Sequence, residues 1–402
     1  MKVVSLSEIC DLQNGFAFKS SDYVSHSNTL NCRMSNIRPD GKFDVEYAPK
    51  YLPDEFTKTY SNFLLKDGDI VIAMTDMAND PKILGVPTIV DTKGKKMLLN
   101  QRVGKLILLS ENQIDIAYLQ HSLNRTSVKK YYTQFAGGGL QLNVGKKEIL
   151  SVKIPLPPLE QQKRIAAILD AADAYRQKTK ALIAKYDELT QSLFLDMFGD
   201  PVTNPKGWEK KIGKEYSVKI SVGVVIQPSS YYVENGVIAL RAMNIRPNKI
   251  INNGFVYFSQ INHSTILNKS IIHTNDVLIV RTGSTGTATV VPEEYNNCNC
   301  IDSIITRPNN KVVNPFYLAY FFNSQRGKEL VAKNEVGGIQ KHFNIGTLNH
   351  LKIPIPPINL QNQFAERVQA IEEQKAQAQA SLEKAEELFN SLLQRAFKGE
   401  LV

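Results

Sequence analysis

Two carboxylates and a lysine in the first half of the chain have the types and spacing that could support catalysis. Asp54 follows Pro53, and Asp91 and Lys93 belong to the sequence Asp-Thr-Lys. A Pro-Asp pair followed by Asp-x-Lys is typical of metal-dependent nucleases, since two carboxylates and a lysine can hold Mg²⁺ and a water. The pattern is short, and the second half of the chain has no copy of it. A stand-alone nuclease is therefore one alternative.

Two other segments match fragments of motifs from S-adenosylmethionine-dependent methyltransferases. Residues 135–139 fit F-x-G-x-G but follow a helical segment, whereas a cofactor loop closes a strand and opens a helix. Residues 314–317 lack the second proline of the Asn-Pro-Pro-aromatic motif. The sequence instead predicts Asn314 as a helix N-cap and Pro315 as the first helical residue. We therefore expect no catalytic residue and no cofactor in this chain.

The four cysteines do not have the spacing of a structural metal site. Cys10 and Cys32 stand alone, and Cys298 and Cys300 are separated by one residue, so no C-x-x-C pair exists. Structural zinc requires four ligands at familiar spacings. We interpret the cysteines as free thiols in a reducing compartment, and we expect no metal site.

The composition is ordinary for a globular protein, with an excess of basic residues. The 402 residues are 43% hydrophobic and 22% charged, and the formal net charge is +9. No apolar run approaches the roughly 18 residues that span a bilayer, and the N-terminus lacks the apolar segment of a signal peptide. We therefore expect a cytoplasmic protein. The basic excess allows nucleic acid, an anionic membrane or an acidic partner.

The strongest internal signal is a repeat with a period of about 200 residues. Four segments recur in the same order: residues 35–43 match 243–250, 64–75 match 271–282, 136–145 match 336–346, and 152–165 match 351–364. A period this long indicates duplicated domains and not a solenoid. Between these segments the sequences of the two halves diverge, which suggests that each half recognises a different ligand.

Each half has the same order of predicted elements. Short strand-like runs come first, such as residues 69–74 and 276–280, separated by turn-forming residues. A short helical segment, a glycine-rich loop, one more strand and a Pro-Pro pair follow. After Pro158 no Pro or Gly occurs until Gly199, so the sequence predicts a helix of about 40 residues, about 60 Å long. A second long helix begins after Pro357.

Heptad patterns predict that the two long helices pack on each other. In the first helix, one row starts at Ile165 and its companion row starts at Ile168, each repeating every seven residues. Because the second half of the chain lies between the helices, antiparallel pairing is the expected closure. The predicted seam contains Ile165, Ile168, Leu182, Leu189, Leu193, Phe364, Val368, Ile371, Leu382, Phe389 and Leu392.

These elements together predict an α+β fold. Two duplicated domains, residues 1–155 and 204–354, are joined by two long antiparallel coiled-coil helices at residues 156–203 and 355–402, with pseudo-two-fold symmetry. Residues 156–200 carry a net charge of −1 and residues 354–402 a net charge of −2; subtracting both from +9 leaves +12 for the two domains. A nucleic-acid footprint would lie on those domains.

The duplicated frame resembles the specificity subunits of type I restriction–modification systems. The supporting segments include IPLPPLEQQKRIAAILDAAD, GGIQKHFNIGTLNHLKIPIPP and DVLIVRTGSTG, and the resemblance covers nearly the whole chain. It implies two target-recognition domains, each reading half of a bipartite site in double-stranded DNA. It also implies that the helices set the spacer and dock two methyltransferase subunits. Restriction/translocase subunits would complete the complex. S-adenosylmethionine, ATP and Mg²⁺ would be bound by these partner subunits. No membrane is expected among the partners.

The candidate DNA contacts lie in loops flanked by glycine. Sequence reading requires donors and acceptors at base edges, with Lys and Arg on phosphates to set the register. The candidates are Thr75, Asp76, Asn79, Lys82, Gln141, Lys146 and Lys147 in the first half, and Arg281, Ser284, Thr285, Gln340, Lys341 and His342 in the second. Arg38 and Arg246, from the repeated NIRP sequence, are interpreted either as phosphate contacts or as parts of the frame.

Three alternatives stay open at this point. The first is the equivalent subunit of a related system whose partner fuses methyltransferase and nuclease. The second is a nuclease that uses Asp54, Asp91 and Lys93. The third is a structural coiled-coil adaptor that does not bind DNA. The sequence predicts neither the recognised bases nor the spacer length.

Overall fold

The chain divides into two units, Met1–Thr179 with Ser381–Val402, and Lys180–Ala380. The structure is a computed structural model that describes residues 2–110, 112–136, 139–335 and 342–401. Each unit combines one α+β domain with one end of each of two long helices.

The elements up to the end of the first long helix are the following. The strands are β1 Val3–Ser5, β2 Cys10–Asn14, β3 Thr29–Cys32, β4 Tyr51–Leu52, β5 Ile70–Ala73, β6 Thr75–Met77, β7 Pro87–Ile89, β8 Lys96–Leu99, β9 Val103–Leu108, β10 Gln141–Asn143 and β11 Lys153–Pro155. The helices are α1 Phe56–Thr59, α2 Ile116–Leu123, α3 Thr126–Phe135, α4 Lys146–Leu150 and the long helix α5 Leu159–Phe198.

The second half repeats this order. Its strands are β12 Lys210–Lys211, β13 Ser217–Val222, β14 Tyr232–Val233, β15 Val237–Leu240, β16 Ile245–Arg246, β17 Lys249–Ile250, β18 Val256–Phe258, β19 Val277–Val280, β20 Ala288–Val290, β21 Asn299–Cys300, β22 Ser303–Pro308 and β23 Ile353–Pro354. Its helices are α6 Gly213–Tyr216, α7 Gln260–Ser264, α8 Pro315–Asn323, α9 Gln325–Lys333, α10 Ile345–His350 and the long helix α11 Ile358–Lys398.

The two domains share the topology of their main sheets, although among the described residues the pair β6–β10 belongs to the first domain and the pair β16–β17 to the second. An antiparallel sheet in the order β2-β9-β5-β7 corresponds to β13-β22-β19-β20 in the second domain. A smaller mixed sheet, β4-β3-β8, corresponds to the strands β18-β15-β21 of a sheet in which β14 is a fourth strand, and its parallel pair recurs as β3–β8 and β15–β21. The pair β1–β11 corresponds to β12–β23. The predicted duplication is therefore present at the level of strand order and direction.

One inner strand of each larger sheet, β5 in the first domain and β19 in the second, is buried on both faces. Ile70 and Ile72 of β5 face a core shared with α2 and α3, whereas Val71 and Ala73 face a second core shared with β3 and β8. Strand β19 divides its four residues between two cores in the same way. Burial on both faces explains why these strands read as continuous apolar runs and do not alternate.

A buried glutamine fixes the start of α5 to the first domain. The side-chain amide of Gln162 donates to the carbonyl oxygens of Gln113 and Pro157 at 2.9 and 2.8 Å. Its side-chain oxygen accepts the backbone N–H of Asp115 at 2.9 Å. One side chain therefore pairs backbone groups of both the junction before α5 and the segment before α2.

Gln361 makes the same three bonds in the second unit. It donates to the carbonyl oxygens of Val312 and Pro356 at 3.1 and 2.7 Å and accepts the N–H of Asn314 at 2.8 Å. Gln162 and Gln361 are both fully buried. The two Pro-Pro junctions are therefore copies of one hydrogen-bonded design.

The short helix before each junction is also fixed in the same way. The Tyr118 hydroxyl donates to the carbonyl oxygen of Pro155 at 2.8 Å, and the Tyr317 hydroxyl donates to that of Pro354 at 2.7 Å. Burial raises the pKa of both tyrosines above their ordinary value. Asn314 accepts a backbone N–H of the first turn of α8, and the predicted N-cap is confirmed.

The long helices meet by opposite ends, as antiparallel pairing requires. In the first unit, Ile165 near the start of α5 and Ala396 near the end of α11 belong to one buried cluster. In the second unit, the Phe364 ring near the start of α11 lies 5.6 Å from the Phe194 ring and 5.2 Å from the Phe198 ring of α5. No helix in the described part of the chain combines the length and apolar character needed for a bilayer span.

The predicted seam agrees with the inward face of α11 and with one row of α5. On α11 the inward residues include Phe364, Val368, Ile371, Leu382, Phe389 and Leu392, all buried or half-buried. On α5 Ile165 is buried and Leu193 is half-buried.

The predicted companion row of α5 was wrong. Ile168, Leu182 and Leu189 are exposed by 37%, 43% and 50%, and the inward row instead runs through Leu169 and Thr190. A row three residues away and a row four residues away both lie beside the first row, because a turn contains 3.6 residues. The packing of α5 against the domains, and not the heptad alone, decides which of them is buried.

We expect Gln361→Ala to destabilise the second unit by about 2–4 kcal/mol, because three buried backbone groups lose their partner. Trp208, the single tryptophan, lies in this unit and donates to the Phe198 carbonyl at 2.8 Å. Its fluorescence during urea unfolding should report the loss. Gln369→Ala is the control, because Gln369 is exposed with one hydrogen bond of 3.4 Å. Equal unfolding midpoints for the two variants would contradict the role of the junction.

Candidate nucleic-acid interface

Each domain brings its two candidate loops together, although they are about 60 residues apart in the chain. In the first domain β6 pairs antiparallel with β10, so that Asp76 is opposite Leu142. The Val144 N–H also donates to the Met74 carbonyl at 3.0 Å. The loop after the central strand and the glycine-rich loop therefore form one surface.

The second domain has the corresponding bond. The Phe343 N–H donates to the Arg281 carbonyl at 3.1 Å, which matches the bond from Val144 to Met74. Within the matched segments 136–145 and 336–346, Gly145 is the counterpart of Asn344, since each is the N-cap of the following short helix. Gln340 and Lys341 lie outside the described residues.

Two candidates in the first domain are internal and not exposed. The buried Asp76 carboxylate accepts the N–H groups of Ile83 and Leu84 at 2.5 and 3.0 Å. The buried Thr75 hydroxyl donates to the Asn143 side-chain oxygen at 2.7 Å. The expectation that these two side chains contact DNA is corrected here, because both are occupied in shaping the loop.

The remaining candidates of the first domain are accessible. Asn79, Lys82, Lys146 and Lys147 are exposed, and Gln141 is half-buried. Together they place three cations and two amides around the β6–β10 pair. This combination can bind phosphates and offer donors and acceptors to base edges.

Two of these lysines are paired with nearby carboxylates. Lys82 lies 2.8 Å from Asp80, and this contact raises the pKa of Lys82. Lys146 lies 2.7 Å from Asp11, and its hydrogen bond lowers the pKa of Asp11. Exposed pairs of this kind contribute little to stability, so the lysines can exchange a carboxylate for a phosphate.

In the second domain the accessible candidates are Ser284, Thr285 and His342. Ser284 is exposed, whereas Thr285 and His342 are half-buried. Arg281 is largely buried and its guanidinium lies 3.0 Å from Asp302, so its charge is already compensated. Arg281 therefore holds the loop in position, and little of its side chain is accessible to a ligand.

Sequence reasoning did not select Leu140, which is 87% exposed beside the same surface. Its carbonyl accepts the N–H of Ala78, which fixes it next to the loop that contains Asn79 and Lys82. An apolar side chain here could contact a thymine methyl group. The sequence signal that could have identified Leu140 is a large apolar residue inside a glycine-rich, otherwise polar loop.

The repeated NIRP turns belong to the frame. Buried Asn36 accepts the Arg33 N–H at 2.8 Å and donates to the Asp44 carbonyl at 2.8 Å. Buried Asn244 makes the corresponding bonds in the second domain. Arg38 lies 4.0 Å from the Tyr47 ring centre, which favours the frame interpretation of that arginine.

The nuclease candidates are engaged in other contacts. Asp54 accepts the Thr29 hydroxyl at 2.7 Å, and this bond lowers the pKa of Asp54. Lys93 lies 3.6 Å from Glu46, and Asp91 accepts the N–H of Lys93 at 3.1 Å. Within the described ranges, no group of three or more His, Cys, Asp or Glu residues has the arrangement of a metal site.

The cysteines are buried thiols. All four are free and buried, and burial raises the pKa of Cys10, Cys32 and Cys300 to about 12. Thiols with so high a pKa are protonated at neutral pH and are poor nucleophiles. The interpretation of the cysteines as free thiols is confirmed.

Comparison with known proteins identifies the family. The family model described as "Type I restriction modification DNA specificity domain" matches residues 1–188 and 245–387, which is well over half of the chain. The chain belongs to this family. Specificity subunits are not catalysts, and the expectation of a non-catalytic chain agrees with this membership.

Two relatives illustrate how widely the sequence varies within the family. The specificity subunit of the type I restriction enzyme MjaVIII from Methanocaldococcus jannaschii is 32% identical over 198 residues, spanning 48% of this chain and 45% of that protein. The EcoBI specificity subunit from Escherichia coli is 23% identical over 445 residues, spanning 99% of this chain and 85% of that protein.

Two solved structures have the same fold. The S subunit of a type I restriction–modification system from M. genitalium is 15% identical with a TM-score of 0.59, over 98% of this chain and 96% of that one. A chain from work on complex assembly and conformational transition of the type I system is 18% identical with a TM-score of 0.57, over 100% and 98%. At these identities the similarity supports the fold alone.

We expect Asp76→Ala to release the loop at residues 77–84, because the N–H groups of Ile83 and Leu84 lose their acceptor. The free energy of unfolding should fall by about 1–3 kcal/mol. Hydrogen exchange at the two amides should accelerate. Asp80→Ala removes only an exposed partner of Lys82, and it should change stability by less than about 0.5 kcal/mol. Unchanged amide protection in Asp76→Ala would contradict this account.

Proposed function

We propose that each domain of this specificity subunit reads one half of a bipartite site in double-stranded DNA. The observation that carries the proposal is that the two halves repeat one internal hydrogen-bonded frame but differ in their loops. Gln162 and Gln361 make the same three bonds, whereas the loops after Met74 and Arg281 differ in sequence and in charge. A protein that reads two different half-sites requires one frame that holds two different sets of side chains.

The chemistry of the exposed loop residues supports this reading. Lys82, Lys146 and Lys147 can bind phosphates of the first half-site, and Asn79 and Gln141 can form bidentate contacts to adenine. In the second domain Ser284, Thr285 and His342 are available in the described residues. Different side chains in the two loops would give two different half-sites.

The long helices are proposed to set the spacer and to dock two methyltransferase subunits. The face of α5 that contains Ile168, Tyr175, Leu182 and Leu189 supports docking, because it presents apolar side chains at intervals of seven residues and at exposures of 37–55%. A regular apolar row on an exposed helix is typical of a helix-binding interface. Restriction/translocase subunits would join the same complex. S-adenosylmethionine, ATP and Mg²⁺ would be bound by the partners.

The alternatives have weaker support. Asp54 accepts the Thr29 hydroxyl and Lys93 lies beside Glu46, and the described residues contain no group of three or more His, Cys, Asp or Glu that could hold a metal ion. A purely structural adaptor would have no need for three accessible lysines around a pair of loops. The related system with a fused methyltransferase and nuclease would use this chain in the same way, and only the partner would differ.

The decisive experiment is co-expression of the chain with the methyltransferase encoded beside it, followed by mapping of methylated adenines on a genome. We expect one bipartite motif with a fixed gap. Exchange of residues 1–155 for those of another specificity subunit should change one half of the motif and leave the other half and the gap unchanged. Absence of methylation together with absence of specific DNA binding would refute the proposal. Mg²⁺-dependent cleavage by the chain alone, lost in Asp91→Ala, would support the nuclease.

The double variant Leu182→Glu, Leu189→Glu should weaken docking of the methyltransferase at least tenfold, since two charges would enter an apolar interface. The measurement is sedimentation of the mixed subunits over a range of concentrations. The double variant Ile261→Glu, Ile266→Glu is the matched control, because both side chains are exposed, by 75% and 63%, and lie in the second domain away from the long helices. Equal losses in the double variant and in the control would argue against a specific role of this row.

A further inference from the structure

The two long helices end in related sequences, so that positions of the two units can be matched. Residues 190–198 read TQSLFLDMF and residues 389–397 read FNSLLQRAF. The serine, the following leucine and the final phenylalanine coincide. Thr190 is therefore the counterpart of Phe389, and a small side chain in the second unit corresponds to a large ring in the first.

The surroundings of this position also correspond. Counting from the matched junctions, Lys375 is the counterpart of Arg176, and Tyr320 is the counterpart of His121. In the first unit the Arg176 guanidinium lies 4.3 Å from the centre of the Phe389 ring, and the His121 ring lies 6.3 Å from it. The chain itself thus supplies the aromatic ring between a cation and a second ring.

In the second unit the same place is open. Thr190 is small, and its hydroxyl donates to the Tyr186 carbonyl at 3.0 Å, which turns it back onto its own helix. A cavity of about 680 Å³ lies beside it, lined by Thr190, Phe194, Tyr320 and Lys375 among others. Lys375 pairs with Asp187 at 2.5 Å, as Arg176 pairs with Asp173 in the first unit. The cavity therefore retains a paired cation and aromatic walls but lacks the ring that occupies the matched place in the first unit.

The mouth of the cavity has the character of a protein interface. Leu195, which lines it, is 50% exposed and lies on α5 only six residues after the exposed Leu189. Arg326, Lys328 and Asp200 provide a charged border. An apolar floor with aromatic walls and a polar border is the usual surrounding of an interface hot spot. The volume of about 680 Å³ exceeds that of one ring, so neighbouring side chains of the same partner would also fit.

We infer that this cavity is a socket for an aromatic side chain of the docked methyltransferase subunit. The inferred ring would lie between Lys375 and Tyr320, as Phe389 lies between Arg176 and His121 in the first unit. The inference rests on the proposed docking of methyltransferases on the helices. Its consequence is that the two docking positions differ, because only the second unit takes a ring from its partner.

Thr190→Phe tests the inference by filling the socket with the side chain that the first unit already has. The purified chain is titrated with the methyltransferase encoded beside it, and the affinity of each binding step is measured by calorimetry. We expect wild type to bind two methyltransferases with different affinities. In Thr190→Phe the tighter step should weaken about tenfold or more, which is the usual effect of losing one hot-spot contact.

Three controls make the result decisive. Thr265→Phe places the same ring at an exposed threonine of the second domain, outside the cavity, and should bind as wild type does. Trp208 fluorescence during unfolding should show that Thr190→Phe is as stable as wild type, since the ring enters existing space. Should Thr190→Phe fail to fold, Thr190→Met fills the same space with a flexible side chain and should give the same loss of affinity.

The contrary outcomes are distinct. If the folded Thr190→Phe variant binds two methyltransferases with the affinities of the wild type, the inferred socket is overturned and the proposed function is left intact. No binding of methyltransferase to the wild-type chain would overturn both. Self-association of the wild-type chain that Thr190→Phe abolishes, without any effect on methyltransferase binding, would assign the cavity to a second copy of this chain and overturn the inference.

Discussion

The burial of one side-chain amide in each half is the constraint on which the rest of the structure depends. Gln162 and Gln361 are fully buried where a long helix leaves a domain, and each satisfies three backbone groups that no helix or sheet can satisfy. Unpaired backbone groups at these positions would each cost about 1–3 kcal/mol. The amide therefore determines where each helix begins and how it leaves its domain.

A rigid frame allows the loops to differ without cost to the fold. Asn36 and Asn244 hold matching turns, and β5 and β19 are buried on both faces. Between these fixed parts, the first domain organises its loop with Asp76, whereas the second uses an ion pair of Arg281. The same frame thus holds two surfaces of different chemistry, as the proposed reading of two different half-sites would require.

The long helices show how a repeat can keep its geometry while single positions of its two copies differ. Both carry an inward face that packs on the partner helix and on a domain. Thr190 and Phe389 occupy matched positions, yet one lines a cavity and the other fills the corresponding place with its ring. Duplication therefore provides two similar platforms, and single substitutions make them unequal.

The sequence by itself determined the duplication, the long helices, the N-cap at Asn314 and the absence of catalytic motifs, because these depend on local pattern and internal comparison. It selected the two loops of each domain but could not separate the exposed Lys82 from the buried Asp76, since burial depends on the β6–β10 pairing across the fold. The heptad likewise fixed one row of α5 and left two choices for its companion. Only tertiary packing chose Leu169 over Ile168, because α5 buries the face that contacts both α11 and a domain.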